Sequence, residues 1–345
     1  YTPEAVVRFI TRAVDDILVS DFALPSGLAD ATRITVDGTA KEEVHRVQIF
    51  DPAAGTGTFL AAVVQHIAPR VKADAAGRLK RYVEQDLIPR LHGVELLMAS
   101  HAMCHLKLGI ALKEIGYRPS TTAPRLCVSH ANALDQKAGP DQTAGTAQIL
   151  CVLGNPPYGV MSANLSEAHV ALVAPFRCVD GTLIKEKGML QVEKNINNDY
   201  VKFLALADQR IRAAGCGVLG FVTSHGYLKS MSLRGLRARL LETFHTIRIL
   251  DLHGIGEVRE VPPDGVADQS VFDIKQGVAI ILAVREDRPL NGKGRVLFTE
   301  LWWTRDIKSA TLSTARVSDF SWTDCAAGAP NYIFHPSGAA FDAYS

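Results

Sequence analysis

Asn155-Pro156-Pro157-Tyr158 is the stretch of this sequence whose residue types most demand a chemical explanation. It follows the apolar run Gln148–Leu153, read as a strand, and so stands at the carboxyl edge of a sheet, where ligands bind. An exocyclic amine on a nucleobase is a poor nucleophile because its lone pair is delocalised into the ring. Two acceptors aimed at its N–H groups draw the nitrogen toward sp³ geometry and localise that pair. The Asn155 side-chain oxygen and the Pro156 carbonyl are candidates for those acceptors. Successive prolines fix φ and hold the carbonyl outward. Tyr158 offers a flat face for stacking a base, worth ~1–3 kcal/mol. Such a corner suits in-line alkyl transfer driven by attack geometry and fixed dipoles. A paired base cannot enter it, so the base must be flipped out of its duplex. The plainer alternative is a Pro-Pro turn over a buried tyrosine.

A second chemical signal lies upstream. Asp51-Pro52-Ala53-Ala54-Gly55-Thr56-Gly57-Thr58 joins a short apolar run, Val47–Phe50, to a helix that begins at Phe59. Glycines there let a ligand approach the backbone, and the helix start offers free N–H groups. The loop is neither a G-x-G-x-x-G fingerprint nor a phosphate loop ending in Gly-Lys-Ser/Thr. Glu95 closes the next predicted strand, where a carboxylate can accept from two ribose hydroxyls. Together they describe a site for a ligand with an adenosine moiety and no need for phosphate, which fits S-adenosylmethionine. Asn132 follows the third strand, where an adenine ring would lie. Asp135 competes for that position, and a simple Asn-Ala turn explains Asn132 equally well.

The elements that must position these residues alternate. Val6, Val7, Ile10, Val14, Ile17 and Leu18 repeat at helical spacing, so residues 2–19 read as a helix with Thr2 as its cap and Pro3 at its first position. Arg33–Val36 reads as a short strand. Helices are expected at 59–71, 78–90, 98–115, 200–214 with Gly215 as its stop, and 233–244. Strands are expected at 47–50, 92–96, 126–129, 148–153, 217–223, 247–252 and 278–284, the last paired with Ser270–Asp273. This predicts an α/β fold: a doubly wound, mainly parallel seven-stranded sheet with an N-terminal helical segment. The segment 159–196 reads as irregular. The expected division is an N-terminal helical segment at 1–45, the main domain at 46–290, and at 291–345 a linker with the start of a further region. Val296–Trp303 is a candidate extra strand there. Both ends read as abrupt, as in a fragment.

Composition narrows the function classes. The 345 residues are 47% hydrophobic and 21% charged, an ordinary globular balance. No apolar run approaches the ~20 residues of a membrane span, no leader opens the chain, and a cytoplasmic location is expected. Six scattered cysteines form no C-x-x-C pair, so neither a structural zinc site nor a disulfide framework is expected; Cys104, Cys127, Cys151 and Cys216 read as small core residues. Net charge is +1, from 37 basic and 36 acidic residues, which by itself speaks weakly against nucleic acid. A local basic face can hide in a neutral total. Lys185, Lys187 and Lys194, and Arg234, Arg237 and Arg239 on the polar face of their helix, read as solvated charges.

These residues carry a resemblance. The sequence resembles the gamma-arranged adenine-N6 DNA methyltransferases, and within them the methyltransferase region of the single-polypeptide type I (type ISP) restriction-modification enzymes. Tyr1-Thr2-Pro3 with Val6-Val7 resembles the opening cofactor motif. Asp51-Pro52 through Gly55-Thr56-Gly57-Thr58-Phe59-Leu60 resembles the cofactor loop, and Glu95-Leu96-Leu97-Met98 the ribose motif. Asn198-Asp199-Tyr200-Val201-Lys202-Phe203, Gly217–Thr223, Leu252-His253-Gly254, Pro263-Asp264-Gly265 and Val271–Ile280 resemble the later sheet motifs. The resemblance implies S-adenosylmethionine as cofactor, held by Thr2, Pro3, Asp51, Ala53, Gly55, Thr56, Gly57, Thr58, Glu95, Asn132 and Asn155. It implies catalysis by Asn155, Pro156 and Tyr158, and stacking of the adenine by Tyr158 and Phe272, the latter equally readable as a core aromatic. Double-stranded DNA is the implied substrate, with nuclease and helicase domains in the same full-length chain. No metal is implied. Asn132 departs from the Asp that many relatives carry.

Rivals differ in what they require. Cytosine C5 methylation needs a thiolate after a proline, and no Pro-Cys pair exists. Cytosine N4 methylation favours Ser before Pro-Pro-Tyr. Glutamine-N5 methylation also uses Asn-Pro-Pro-Tyr on a planar amide, but in a compact two-domain enzyme. A non-catalytic cofactor- or DNA-binding subunit would not need Asn155 and Tyr158.

Overall fold

The apolar stripe of the first helix turns inward as its spacing demands: Val6, Val7, Ile10, Val14, Ile17 and Leu18 are all at most 2% exposed, each worth ~1.5–3 kcal/mol of burial. The structure is a computed structural model that describes residues 2–36, 42–73, 78–135, 139–140, 148–158, 162–185, 189–254, 265, 268–274 and 276–336. Tyr1, Lys187, Pro263 and Asp264 lie outside them.

The chain opens with α1 (Glu4–Ser20), then a hairpin of β1 (Arg33–Val36) and β2 (Glu42–His45). Next come β3 (Val47–Asp51), α2 (Thr58–Ala73), α3 (Arg78–Tyr82), β4 (Leu91–Glu95), α4 (Met98–Glu114), β5 (Cys127–His130) and β6 (Ile149–Gly154). The second half holds α5 (Glu167–Val173), a small hairpin of β7 (Cys178–Val179) and β8 (Thr182–Leu183), α6 (Met189–Ile196), α7 (Asp199–Ala214), β9 (Cys216–Ser224) and α8 (Arg234–Thr243). It ends with β10 (Thr246–Asp251), β11 (Val278–Arg285), β12 (Arg295–Glu300), α9 (Arg305–Thr314) and β13 (Thr323–Cys325).

The main sheet runs β13-β12-β10-β11-β9-β6-β3-β4-β5. Its strands are parallel from β5 to β9; β11 runs antiparallel to both neighbours, and β13 antiparallel to β12. Alternate residues feed two cores. Ile149, Cys151 and Leu153 join α1, α2 and α4 on one face, while Leu150 and Val152 join α7 and α8 on the other. This is the doubly wound α/β arrangement. Among the described residues the sheet has nine strands rather than seven, because the presumed linker after residue 290 supplies β12 and β13. Val296 and Phe298 of β12 are buried in the α7/α8 core, and Arg12 of α1 donates to the carbonyls of Leu312, Ser313 and Ala315 at the end of α9.

Other expectations shift. The charged stretch 78–90 does not stay one helix; it passes through a π turn at Val83–Leu87 into a 3₁₀ turn around Pro89, which has no N–H to continue the ladder. Residues 159–196, expected to be irregular, hold α5, α6 and the β7–β8 hairpin. Ser270–Asp273 is not a strand; β9 and β10 already occupy both edges of β11. Cys104, Cys151 and Cys216 are buried, and Cys127 only in part. Lys185 and Lys194 are exposed. The arginines of α8 are not solvated. Arg237 is fully buried and donates to the carbonyls of Tyr227, Ser230, Asn331 and Tyr332. Arg234 is 8% exposed, and Arg239 pairs with Asp208 at 3.3 Å. Among the described residues, no helix is long and apolar enough to cross a membrane.

Candidate active site

Strand order places the site. After β3 the chain adds β4 and β5 on one side, then returns to lay β6 on the other side of β3. The crevice outside the carboxyl ends of β3 and β6 is therefore the topological switch point, where ligands bind in such sheets. The loop after β3 is Asp51–Thr58, and the loop after β6 is Asn155–Tyr158.

The first loop is a tight backbone turn. Ala53 N–H donates to Asp51 Oδ1 at 3.1 Å, Ala54 N–H to the Val94 carbonyl at 2.9 Å, and Gly57 N–H to the Ala54 carbonyl at 2.7 Å. Gly57 has φ +81°, and a Cβ there would stand 2.7 Å from Cys104 Sγ, so only glycine fits. Gly55, at φ +54°, has its Cβ side open. Its N–H donates to Glu95 Oε2 at 2.8 Å, while Leu97 N–H donates to Oε1 at 2.8 Å. Glu95 is half-buried and thus clasped over the glycine turn, with lone pairs left on both oxygens. Thr56 is exposed; the Thr58 hydroxyl accepts from Lys107 Nζ at 2.9 Å.

Asp51 lies beneath the turn, 1% exposed. Its Oδ2 has no hydrogen-bond partner, and a Cβ on Gly154 would come within 2.8 Å of Oδ1. The two loops therefore touch through this carboxyl. Burial pushes it up to about 7, Glu95 adds to the rise, and the Ala53 N–H opposes it. Asp51→Asn keeps an acceptor for Ala53 without the charge. The folded state favours the protonated acid, so its contribution is full below the unfolded value of ~3.9 and is lost as pH rises through about 7. Wild type is expected to lose stability relative to Asp51→Asn between pH 4 and 7, reaching a deficit of a few kcal/mol, roughly 1.4 per pKa unit. Melting temperatures of both proteins across pH 4–8 check this; parallel curves would refute it.

The second loop is held by an unexpected partner. Thr2 does not cap α1, whose N-cap position is Pro3 with no side-chain cap. Its hydroxyl instead accepts from Asn155 Nδ2 at 2.9 Å, and the Tyr158 hydroxyl donates to Asn155 Oδ1 at 2.7 Å. The amide is thereby fixed in direction from both ends. Burial, then Tyr200 and Tyr227, hold the Tyr158 hydroxyl above its usual pKa, so it remains a donor. Its ring packs 6.2 Å from that of Tyr200 at 60°, while Tyr158 remains half-buried and Pro156 is buried.

Asn132 is engaged locally. Its Oδ1 accepts from Leu134 N–H at 3.1 Å and its Nδ2 donates to Asn164 Oδ1 at 2.9 Å. The competitor Asp135 pairs with His169 at 3.0 Å. Phe272 is 5% exposed in a bend before β11 and belongs to the α1-side core, against which Tyr158 also packs. Lys202, expected only as part of a sheet motif and without a role of its own, proves to be a supporting residue. It is fully buried, donates to Ser162 Oγ at 2.8 Å and to the Asn164 carbonyl, and so steadies the partner of Asn132. Burial lowers its pKa, against the pull of Asp199. The available signal was a lysine set among the apolar residues 200–207.

The family model described as N-6 DNA Methylase matches residues 1–231. No curated protein matches the chain. Among solved structures, the chain is similar to the ATP-dependent Type ISP restriction-modification enzyme LlaBIII bound to DNA, with a TM-score of 0.70 and 22% identity over 90% of this chain and 21% of that one. It is similar to a nuclease-deletion mutant of the Type ISP restriction-modification enzyme LlaGI in complex with a DNA substrate mimic, at 0.73 and 20% over 96% and 27%. It is also similar to the DrdV–DNA complex, at 0.64 and 21% over 95% and 30%. At these identities the likeness establishes the fold. The chain spans 21% to 30% of the length of these three solved chains.

Proposed function

Because the chain belongs to the N-6 DNA methylase family, we propose that it transfers the methyl group of S-adenosylmethionine to N6 of an adenine flipped out of double-stranded DNA. The observation that carries this reading is the Thr2–Asn155–Tyr158 chain of hydrogen bonds, set beside a glycine turn clasped by Glu95 at the switch point.

The residues fit the cofactor. The open Cβ side of Gly55 leaves room against the backbone, and the half-buried Glu95 carboxylate has acceptor capacity for ribose hydroxyls. Thr2, Pro3, Asp51, Ala53, Thr56, Gly57, Thr58, Asn132 and Asn155 complete the set that would hold it. When bound, the cofactor supplies an electrophilic methyl group on a sulfonium. The chain's own part is orientation. Asn155 Oδ1 and the Pro156 carbonyl accept the two N–H bonds of the adenine amine. An amide oxygen has two lone pairs, so Oδ1 takes one of these N–H groups while keeping the Tyr158 hydroxyl. The Tyr158 ring, with Phe272, supplies the stacking surface for the extruded base. Neither acceptor is a strong base, and none is required if the proton leaves to water after the new bond forms.

The two type ISP neighbours are restriction-modification enzymes, one bound to DNA and one in complex with a DNA substrate mimic. We extend this to the chain as a proposal: it is the modification part of such an enzyme, with nuclease and helicase modules in the same polypeptide and a cytoplasmic site of action. The test is incubation of the full-length protein with radiolabelled S-adenosylmethionine and DNA of varied sequence, followed by nucleoside analysis. N6-methyladenine is expected. Label in N4-methylcytosine or in protein glutamine, or cofactor binding with no transfer, overturns the reading.

A further inference from the structure

At the same edge of the sheet, beyond the catalytic loop, three donor side chains converge that are scattered in sequence. His225 follows β9, Asp251 ends β10, and His253 lies in the turn after β10. His225 Nδ1 is 3.1 Å from Asp251 Oδ1 and 3.3 Å from Oδ2; His253 Nδ1 is 3.8 Å from Oδ2. One donor atom from each of the three lies within 4.8 Å of the others. The other face of the His253 ring system is also provided for: Nε2 is 3.4 Å from Glu300 Oε2 at the end of β12, and the ring stacks on Trp302 with centroids 3.3 Å apart. Asp251 and His253 are 3% and 4% exposed.

We propose that His225 Nδ1, the Asp251 carboxylate and His253 Nδ1 form a site for a divalent transition-metal ion, zinc foremost, with Glu300 orienting His253 from behind. Zinc–nitrogen and zinc–oxygen bonds of ~2.0–2.2 Å put neighbouring donors roughly 3–3.6 Å apart. The His225–Asp251 separations of 3.1 and 3.3 Å fall in that range and the His253–Asp251 separation of 3.8 Å lies just beyond it, so a small side-chain shift of His253 completes the shell. Two imidazoles and one carboxylate select zinc, iron or nickel over magnesium and calcium, which prefer oxygen. A carboxylate on the far nitrogen of a ligating histidine is the usual outer-shell partner and fixes its tautomer. An ordinary His–Asp ion pair accounts for His225 and Asp251. It does not account for a second imidazole turned to the same carboxylate with its own carboxylate behind it. The corner has a structural consequence. His225 N–H donates to the Gly277 carbonyl at 3.1 Å and Gln276 Nε2 to Ser224 Oγ at 2.7 Å, so an ion here would fasten the segment that carries Phe272 to β9 and β10.

The test uses tag-free full-length protein, stripped with a chelator and then titrated with Zn²⁺ and, for its visible absorption, Co²⁺. The expected result is one equivalent bound, cobalt bands typical of nitrogen and oxygen donors, and a chelator-reversible rise in melting temperature. His225→Gln should weaken binding at least roughly 100-fold with unchanged circular dichroism, and Glu300→Gln roughly 10-fold, in the range for outer-shell partners. Asp251→Asn should abolish binding; should it fail to fold, His225→Gln carries the test, since its side chain is the most exposed of the three at 14%. No retained metal in wild type, or an equivalent retained undiminished in His225→Gln, overturns the site.

Discussion

Asn155→Ala is expected to lower the rate of methyl transfer by roughly 10³-fold while leaving affinity for S-adenosylmethionine within a factor of two or three. Loss of one preorganised polar group facing a developing charge typically removes 10²–10³ in rate. Here the loss is compound. Asn155 is the middle of a chain in which Thr2 orients the amide and Tyr158 donates to its oxygen. Truncation removes the acceptor for the adenine amine and also releases the hydroxyl that steadies the tyrosine ring. Cofactor affinity should survive because the Glu95–Gly55–Leu97 cluster makes none of its hydrogen bonds to Asn155. Single-turnover transfer with labelled cofactor, together with equilibrium binding of the same ligand, separates the two quantities. Parallel loss of rate and affinity would mean that Asn155 serves chiefly to hold the cofactor, with its contact there more than a minor one, and would remove the proposed mechanism.

What was legible in the sequence is what the backbone itself dictates. Gly57 is glycine in the first place because its φ is +81°, a demand of the backbone that the Gly55–Gly57 spacing shows without tertiary knowledge; the closeness of Cys104, from a distant helix, it does not show. The two prolines after Asn155 and the apolar β6 before it do the same for the catalytic loop. The order of strands and helices was likewise readable, since their periodicities are local. What failed to show depends on distant partners. Thr2 has the residue type of a helix cap and stands at a helix start, yet its hydroxyl serves Asn155, 153 positions away. Arg237 has the sequence context of a surface charge, yet residues 331 and 332 close over it and supply carbonyl acceptors. Charge alone gives no sign of such a partner, and burial of an arginine is tolerable only when its donors are satisfied. β12 was legible as a candidate strand at Val296–Trp303, but it follows a Gly- and Pro-containing turn and nothing local marks it as a partner of β10. The His225–Asp251–His253 cluster escaped for the same reason: no fixed spacing joins the ends of two strands that are separated in the sheet by a third.

The complementary prediction concerns Glu95. Glu95→Ala is expected to weaken cofactor affinity roughly 10²-fold, with kcat at saturating cofactor recovered to within a few-fold. Hydrogen bonds to a charged acceptor contribute ~1.5–3 kcal/mol each, and two ribose hydroxyls would lose theirs; a loss of about 3 kcal/mol is about a hundredfold in the dissociation constant. The fold should tolerate the change. The two backbone donors that Glu95 now satisfies belong to Gly55, which is half-buried, and Leu97, which is 62% exposed, so water can replace the carboxylate. Asn155 keeps both of its side-chain partners, which leaves the geometry around the amine intact once cofactor is supplied in excess. Titration calorimetry on the variant, paired with transfer rates over a wide range of cofactor concentration, gives both numbers. Full affinity with a depressed maximal rate would mean that Glu95 acts at the reacting centre and that the ribose lies elsewhere. The assignment of the glycine turn as its cradle would then fall with it, whereas the role of Asn155 would still rest on its own separate test.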